Sequence, residues 1–181
     1  MKPKVSEKLL LLKIKTKKDP DAFANLYDLY IEKIYRFVYF KVNNKEEAED
    51  IVSDVFLKVW NYLIESKKRE IESFSGLIYQ ITRNKVIDYY RKKAKEKNYS
   101  LEDVVILAPD KNFAKIETNL EVERLLKYIK KLKSDYQEVL MLRYIEDLGI
   151  GEIAKILDKK KTNVRVILHR ATKKLKQIIG E

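Results

Sequence analysis

Gly149-Ile150-Gly151-Glu152-Ile153-Ala154-Lys155-Ile156-Leu157-Asp158-Lys159-Lys160-Lys161-Thr162-Asn163-Val164-Arg165-Val166-Ile167-Leu168-His169-Arg170-Ala171 reads as two short helical patterns with a break near Asp158 and Lys159. Gly149 suits an N-cap with Glu152 at the third helical position, so residues 150–157 form a short helix. A second helix begins at Lys161 or Thr162 and runs to Ile179. On it Val164, Ile167, Leu168, Ala171, Leu175 and Ile178 share one side, which leaves Thr162, Val166, His169 and Lys173 opposite, flanked by Arg165 and Arg170. Residues 155–176 hold nine Lys or Arg against one acid, Asp158, the electrostatic footprint that a helix entering the DNA major groove requires. A solvated surface helix is the plainer reading of the same charges, and His169 reads as an exposed bystander before it reads as a base contact. Arg165 and Arg170 are stronger candidates, because a guanidinium grips phosphate or a guanine edge with two hydrogen bonds.

Upstream of this pair, Val122, Leu125, Leu126 and Ile129 mark one helix and residues 136–144 another. Between about residues 98 and 118 the periodicity weakens around Pro109, scattered acids and isolated aliphatics, as in a linker. The N-terminal half is again helical. Asp19-Pro20 is an N-cap with proline at the first helical position, followed by Phe23, Leu26, Tyr27, Tyr30, Ile34 and Phe37 at helical spacing. Asn44 with Glu47 three residues on is a capping-box variant ahead of the stripe Ile51, Val52, Val55, Phe56, Val59 and Trp60. A charged loop over residues 67–72 precedes Ser73, which caps a third helix carrying Phe74, Leu77, Ile78, Ile81 and Ile87 and ending in the basic run 91–97. Four Gly and three Pro leave little material for tight hairpins. The expected fold is all-α: two small helical domains, 1–97 and 119–181, joined by a flexible linker at 98–118.

Composition narrows the function classes. Lys and Arg total 39 against 28 Asp and Glu, a net charge of +11. Such an excess favours polyanions, nucleic acid first and an anionic membrane surface second, with a solvated basic surface as the plain alternative. The chain has no Cys and one His, so disulfides, thiolate metal sites and a recognisable zinc or haem constellation are not expected, and no metal or cofactor is assigned. Leu9 to Leu12 follow Lys2, Lys4 and Lys8 in the manner of a truncated signal segment, but Lys13 and Lys15 interrupt the run. No membrane insertion is expected, and a reducing cytoplasm fits the absence of Cys.

Two further constellations lie in the first half. Glu47, Asp50 and Asp54 fall at i, i+3 and i+7 and so share one helical face. Three readings apply: a divalent-metal site, a solvated face, or a dock for a basic protein. Metal sites of nucleases draw carboxylates from several elements, which these do not. Farther on, Tyr79, Arg83, Asn84, Lys85, Tyr89, Tyr90, Arg91, Lys92 and Lys93 interleave rings and cations along one helix. Rings stack unpaired bases while cations hold phosphates, so single-stranded DNA is a natural ligand, although at least half of the rings are expected in the core.

These blocks, in this order, resemble the extracytoplasmic-function class of bacterial sigma factors over nearly the whole chain. Residues 47–60 resemble the segment by which that class grips the coiled coil of core RNA polymerase, which implies docking through Glu47, Asp50, Ser53 and Asp54. Residues 74–93, centred on Arg83-Asn84 and Ile87-Asp88-Tyr89-Tyr90-Arg91, resemble the helix that receives the -10 promoter element. The resemblance assigns Arg83, Asn84, Lys85, Arg91 and Lys92 to that task, and Lys67, Lys68 and Arg69 to the loop that captures a flipped base. Residues 132–144, Glu152-Ile153-Ala154 and residues 164–171 resemble the terminal helix-turn-helix that reads the -35 element. It implies contacts by Lys160, Lys161, Thr162, Asn163, Arg165, Val166, His169, Arg170 and Lys173. The linker would thread toward the active-site cleft of polymerase, with Glu102, Asp103 and Asp110 mimicking nucleic-acid charge or simply facing solvent. The chain departs from the pattern at Gly149 and Lys160, where the family often has Ser, and at Ser53 (Gln), Leu77 (Trp) and Ile167 (Arg). Implied partners are core RNA polymerase and promoter DNA, with an anti-sigma factor as a further partner that no residue here specifies; no enzymatic step is implied. Two rival readings remain: a polymerase-independent helix-turn-helix regulator, and a metal-dependent nucleic-acid enzyme.

Overall fold

A computed structural model describes residues 6–65, 71–97 and 120–180, and among these residues every regular element is helical. The chain divides into two compact units, Met1–Phe74 and Ser75–Glu181.

The first unit contains α1 (Glu7–Lys17), α2 (Pro20–Val42) and α3 (Lys45–Glu65). Asp19 Oδ1 accepts hydrogen bonds from the amides of Asp21 at 3.0 Å and Ala22 at 3.1 Å, and Pro20 occupies the first turn. This satisfies donors that a helix start leaves unpaired. At the other end Asn43 turns left-handed, with φ 55°, and its amide bonds back to the Tyr39 carbonyl. Asn44 Oδ1 then accepts from the Glu47 amide at 3.0 Å and starts α3. Two residues thus reverse the chain, and α2 packs on α3. Leu26, Ile34 and Phe37 meet Val55, Val59 and Leu63 in the core, nearly all without solvent exposure. Phe23 lies edge-on to Trp60 with ring centroids 5.0 Å apart, and Tyr27 tilts on Phe56 at 4.5 Å.

The helix α1 is not apparent from the sequence pattern. Leu9 to Leu12 point in every direction around a helix, so no stripe stands out. Packing selects among them: Leu10, Leu11 and Ile14 are buried, Leu9 and Leu12 remain exposed, and α1 lies against α2 and α3. The Tyr30 hydroxyl donates to Glu7 Oε2 at 2.6 Å.

The second unit takes all but the first residue of α4 (Phe74–Lys97), then α5 (Leu120–Ile129), α6 (Ser134–Leu140), α7 (Ile150–Ile156) and α8 (Lys161–Ile179). Helices α5, α6 and α7 each pack on α8 around Leu126, Ile129, Val139, Leu140, Ile153 and Val164, all fully buried. Residues 136–144 are not one α-helix as the pattern suggests, because after Leu140 the coil widens into a π-helical turn, Met141–Ile145. The Glu146 amide closes it on the Met141 carbonyl at 3.0 Å. The wider turn lets Met141 and Leu142 both face the core. Arg143 then steadies the exit by donating to the Leu148 carbonyl at 3.0 Å. Between α7 and α8 the chain turns at Asp158, whose φ of 51° lies in the left-handed region that Asp tolerates better than most residues.

Candidate functional site

Three surfaces carry the residues of interest. The first is the outer face of α8. Gly149 has no side chain to cap α7, and only the reciprocal half of a capping box is made, Glu152 Oε2 accepting from the Gly149 amide at 2.9 Å. That fixes the short helix leading into α8, which starts at Lys161 as expected. Val164, Ala171 and Leu175 are buried, and this anchors the rotation of the helix. In consequence Lys160, Lys161, Thr162, Asn163, Arg165, Val166, His169, Arg170 and Lys173 are all exposed. Among the described residues Arg165, Arg170 and Lys173 enter no ion pair, so their charge is available to an outside anion. Val166 is 48% exposed in the middle of this cationic face; an apolar side chain there suits a thymine methyl.

The second surface is on α3. Asp50, Ser53 and Asp54 are exposed, whereas Glu47 is half-buried in the first turn. The Ser53 hydroxyl donates to the Glu49 carbonyl at 2.9 Å. Glu49, one turn before Ser53, is also exposed. It pairs with Lys45 at 3.7 Å, and its charge, after burial and before the neighbouring Tyr39, raises the pKa of Tyr35 above its ordinary value. One residue here escaped sequence reasoning. Leu57 is 61% exposed, three positions after Asp54 and seven after Asp50, so it extends the acidic stripe with an apolar end. The available signal was that Leu57 falls outside the apolar stripe of its own helix.

The third surface is on α4. Asn84 and Lys92 are exposed and Lys85 is half-buried. Arg91 lies 3.6 Å from Asp88 in an exposed pair of little energetic weight. Arg83 is different: its Nε is 3.1 Å from Glu138 Oε1, with side chains only 25% and 13% exposed. Tyr79 is core, 1% exposed, and its hydroxyl donates to Glu146 at 2.5 Å. Tyr89 and Tyr90 are half-buried with ring centroids 5.2 Å apart, and the Lys93 ammonium donates to the Tyr89 hydroxyl at 2.6 Å. Lys67, Lys68 and Arg69, and the linker acids Glu102, Asp103 and Asp110, lie outside the described residues.

Among the described residues no three His, Asp or Glu side chains stand together to hold a metal ion, and no helix is long and apolar enough to cross a membrane.

Among the described residues, an acidic stripe on one helix and cationic faces on two others are surfaces that a basic protein and a nucleic acid, respectively, would complement. Residues 26–96 match the family model of sigma-70 region 2, and residues 122–175 that of sigma-70 region 4. The RNA polymerase sigma factor YlaC of Bacillus subtilis is 30% identical over 166 residues, covering 88% of this chain and 93% of that protein. The ECF RNA polymerase sigma factor BldN of Streptomyces coelicolor is 27% identical over 169 residues, covering 90% of this chain and 62% of the longer relative. In fold, the chain is similar to the sigma factor RpoE from Bartonella quintana, solved in complex with the anti-sigma factor NepR, with a TM-score of 0.68 at 19% identity over 87% of this chain and 96% of that one. The chain belongs to the RNA polymerase sigma factors of the extracytoplasmic-function (ECF) class.

Proposed function

We propose that this chain docks on core RNA polymerase through Asp50, Ser53, Asp54 and Leu57, with Glu47 at the edge of the contact, and directs the enzyme to its promoters. In the same reading residues 1–97 and 119–181 act as two functional domains linked by 98–118. Arg83, Asn84, Lys85, Arg91 and Lys92 hold the -10 strand, with Lys67, Lys68 and Arg69 in the base-capturing loop. The exposed face of α8, from Lys160 to Lys173, enters the major groove at -35. The subunit makes and breaks no bond: it binds, orients and stabilises unpaired DNA, and base stacking returns on the order of 1–3 kcal/mol per base toward the cost of opening. Its place of action is the cytoplasm, where polymerase and chromosome are. An anti-sigma factor such as the one bound to the Bartonella relative is a partner consistent with this reading.

The observation that carries the proposal is the exposed acidic stripe Asp50–Asp54, ending in Leu57, on a chain of net charge +11. A protein made only to bind DNA gains nothing from an exposed carboxylate row, which repels phosphate. A basic protein surface is its natural complement. Purified chain added to core polymerase is expected to give run-off transcription from a subset of promoters, and Asp50→Lys with Asp54→Lys to abolish co-purification with core. Normal co-purification by that double variant overturns the docking assignment. Tight operator binding by the free chain would favour a polymerase-independent regulator instead.

A further inference from the structure

We propose that Gly151 is a positioning residue for Lys161: by leaving the surface of α7 bare at that point, it lets the lysine lie back across the helix, where its ammonium holds a phosphate of the DNA backbone and not a base edge. This rests on the reading of α8 as the helix that enters the major groove.

Lys161 is the first residue of α8. Helical side chains lean toward the N-terminus of their helix, so the first one leans off it, toward the element before. Here that element is α7. A Cβ at position 151 would lie 3.5 Å from Lys161 Cε and 3.8 Å from its Nζ, and among the described residues nothing else beyond its chain neighbours and its own turn would come within 4 Å. The end of the Lys161 side chain is therefore what covers Gly151. The backbone does not call for glycine at this point: among the described glycines only Gly180 has a positive φ. Glycine also weakens a helix, because it gives up more conformational freedom on folding than any other residue. What it supplies is room. An alanine methyl fits under the lysine in ordinary van der Waals contact, whereas a longer side chain takes the space in which the lysine lies. Lys161 is exposed and, among the described residues, enters no ion pair, so its charge is open to an anion from outside. In a helix-turn-helix the second helix lies in the groove while the first crosses the sugar-phosphate backbone. A cation laid over the first helix therefore meets phosphate, which an ammonium holds as a point charge. Thr162, Val166 and His169 keep the outward face of α8.

The test uses the full chain in complex with core polymerase and a fluorescently labelled -35 duplex, titrated over a range of salt concentrations. Lys161→Ala is expected to weaken binding roughly fivefold to tenfold near about 0.1 M salt and to lower the slope of log affinity against log salt by about 0.9, equally on every -35 sequence. Gly151→Leu is expected to do about the same, and Gly151→Ala to shift affinity less than about twofold. Both glycine replacements are expected to raise the unfolding midpoint in urea, so that a loss of DNA binding in a more stable chain is not a folding defect. In the Lys161→Ala background, Gly151→Leu is expected to cost less than about twofold more. The proposal is overturned if Lys161→Ala leaves the slope unchanged or relaxes discrimination at one base pair, or if Gly151→Leu binds like wild type. It is equally overturned if Gly151→Ala loses as much as Gly151→Leu, or if Gly151→Leu loses as much again without the lysine, which marks a direct clash with DNA. If Gly151→Leu does not fold by circular dichroism, Gly151→Gln decides by the same criteria. The variants are also measured as free chain on a mixed-sequence duplex at low salt, since a phosphate contact does not depend on sequence. Failure of the wild-type complex to bind the promoter duplex would sink the promoter-reading proposal, and the free-chain arm then judges Gly151 and Lys161. Absence of duplex binding in both arms overturns both.

Discussion

Glu152 turns back on the start of its own helix, its Oε2 accepting from the Gly149 amide at 2.9 Å, while its Oε1 accepts from the Ser75 hydroxyl at 2.6 Å. With glycine at the cap there is no side-chain oxygen for the first amides of the helix, and this carboxylate supplies the other half of a capping box by holding the amide of the cap residue itself. Glu152→Ala is therefore expected to lower stability by about 1–2 kcal/mol in urea unfolding. Glu152→Gln keeps an acceptor and should retain most of it. Ser75→Ala separates the two contacts: if it costs as much as Glu152→Ala, the cap is not what matters.

Leu57 gives a second prediction. Its side chain is 61% exposed, so Leu57→Ser should leave the unfolding midpoint unchanged within error. If it is the apolar end of the polymerase dock, the same change weakens core binding by about 1–2 kcal/mol. Titration of labelled chain with core polymerase measures this, and unaltered affinity removes Leu57 from the interface.

If α8 reads DNA as proposed, its exposed residues can be sorted one by one through salt. Arg165→Ala and Arg170→Ala in the polymerase complex are each expected to weaken -35 duplex binding by about 1–3 kcal/mol. A phosphate contact lowers the slope of log affinity against log salt by about 0.9, uniformly over sequences. A guanine contact leaves the slope and relaxes discrimination at one base pair. His169→Ala is expected to do neither, and a large effect there would make it a base reader after all.

Much of the local architecture is legible in the sequence because its causes are local. Asp19, Asn44 and the Gly149–Glu152 pair mark helix starts by hydrogen bonds that span two or three residues. The stripe Val164, Ala171, Leu175 sets which side of α8 faces outward. Other features leave no such trace. The four leucines of residues 9–12 carry no stripe, so α1 emerges only when α2 and α3 bury Leu10 and Leu11. The π-helical turn at Met141–Ile145 inserts one residue into an otherwise regular repeat, which a fixed helical period cannot register. Interleaved rings and cations along α4 suggest one ligand surface, yet Tyr79 lies in the core and Arg83 is engaged by an acid fifty-five residues later.

By itself the sequence determined where α2, α3, α7 and α8 start, which face of α2, α3 and α8 is apolar, and that cations crowd α8 while acids line α3. Those follow from hydrogen bonds and periodicities no longer than a few turns. Only the tertiary structure decided which charges stay open to a partner: Arg165 and Arg170 outward and without ion pairs among the described residues, Arg83 held by Glu138, Glu146 buried under Tyr79. Burial and pairing depend on groups brought together from distant parts of the chain, and a one-dimensional pattern does not contain that distance.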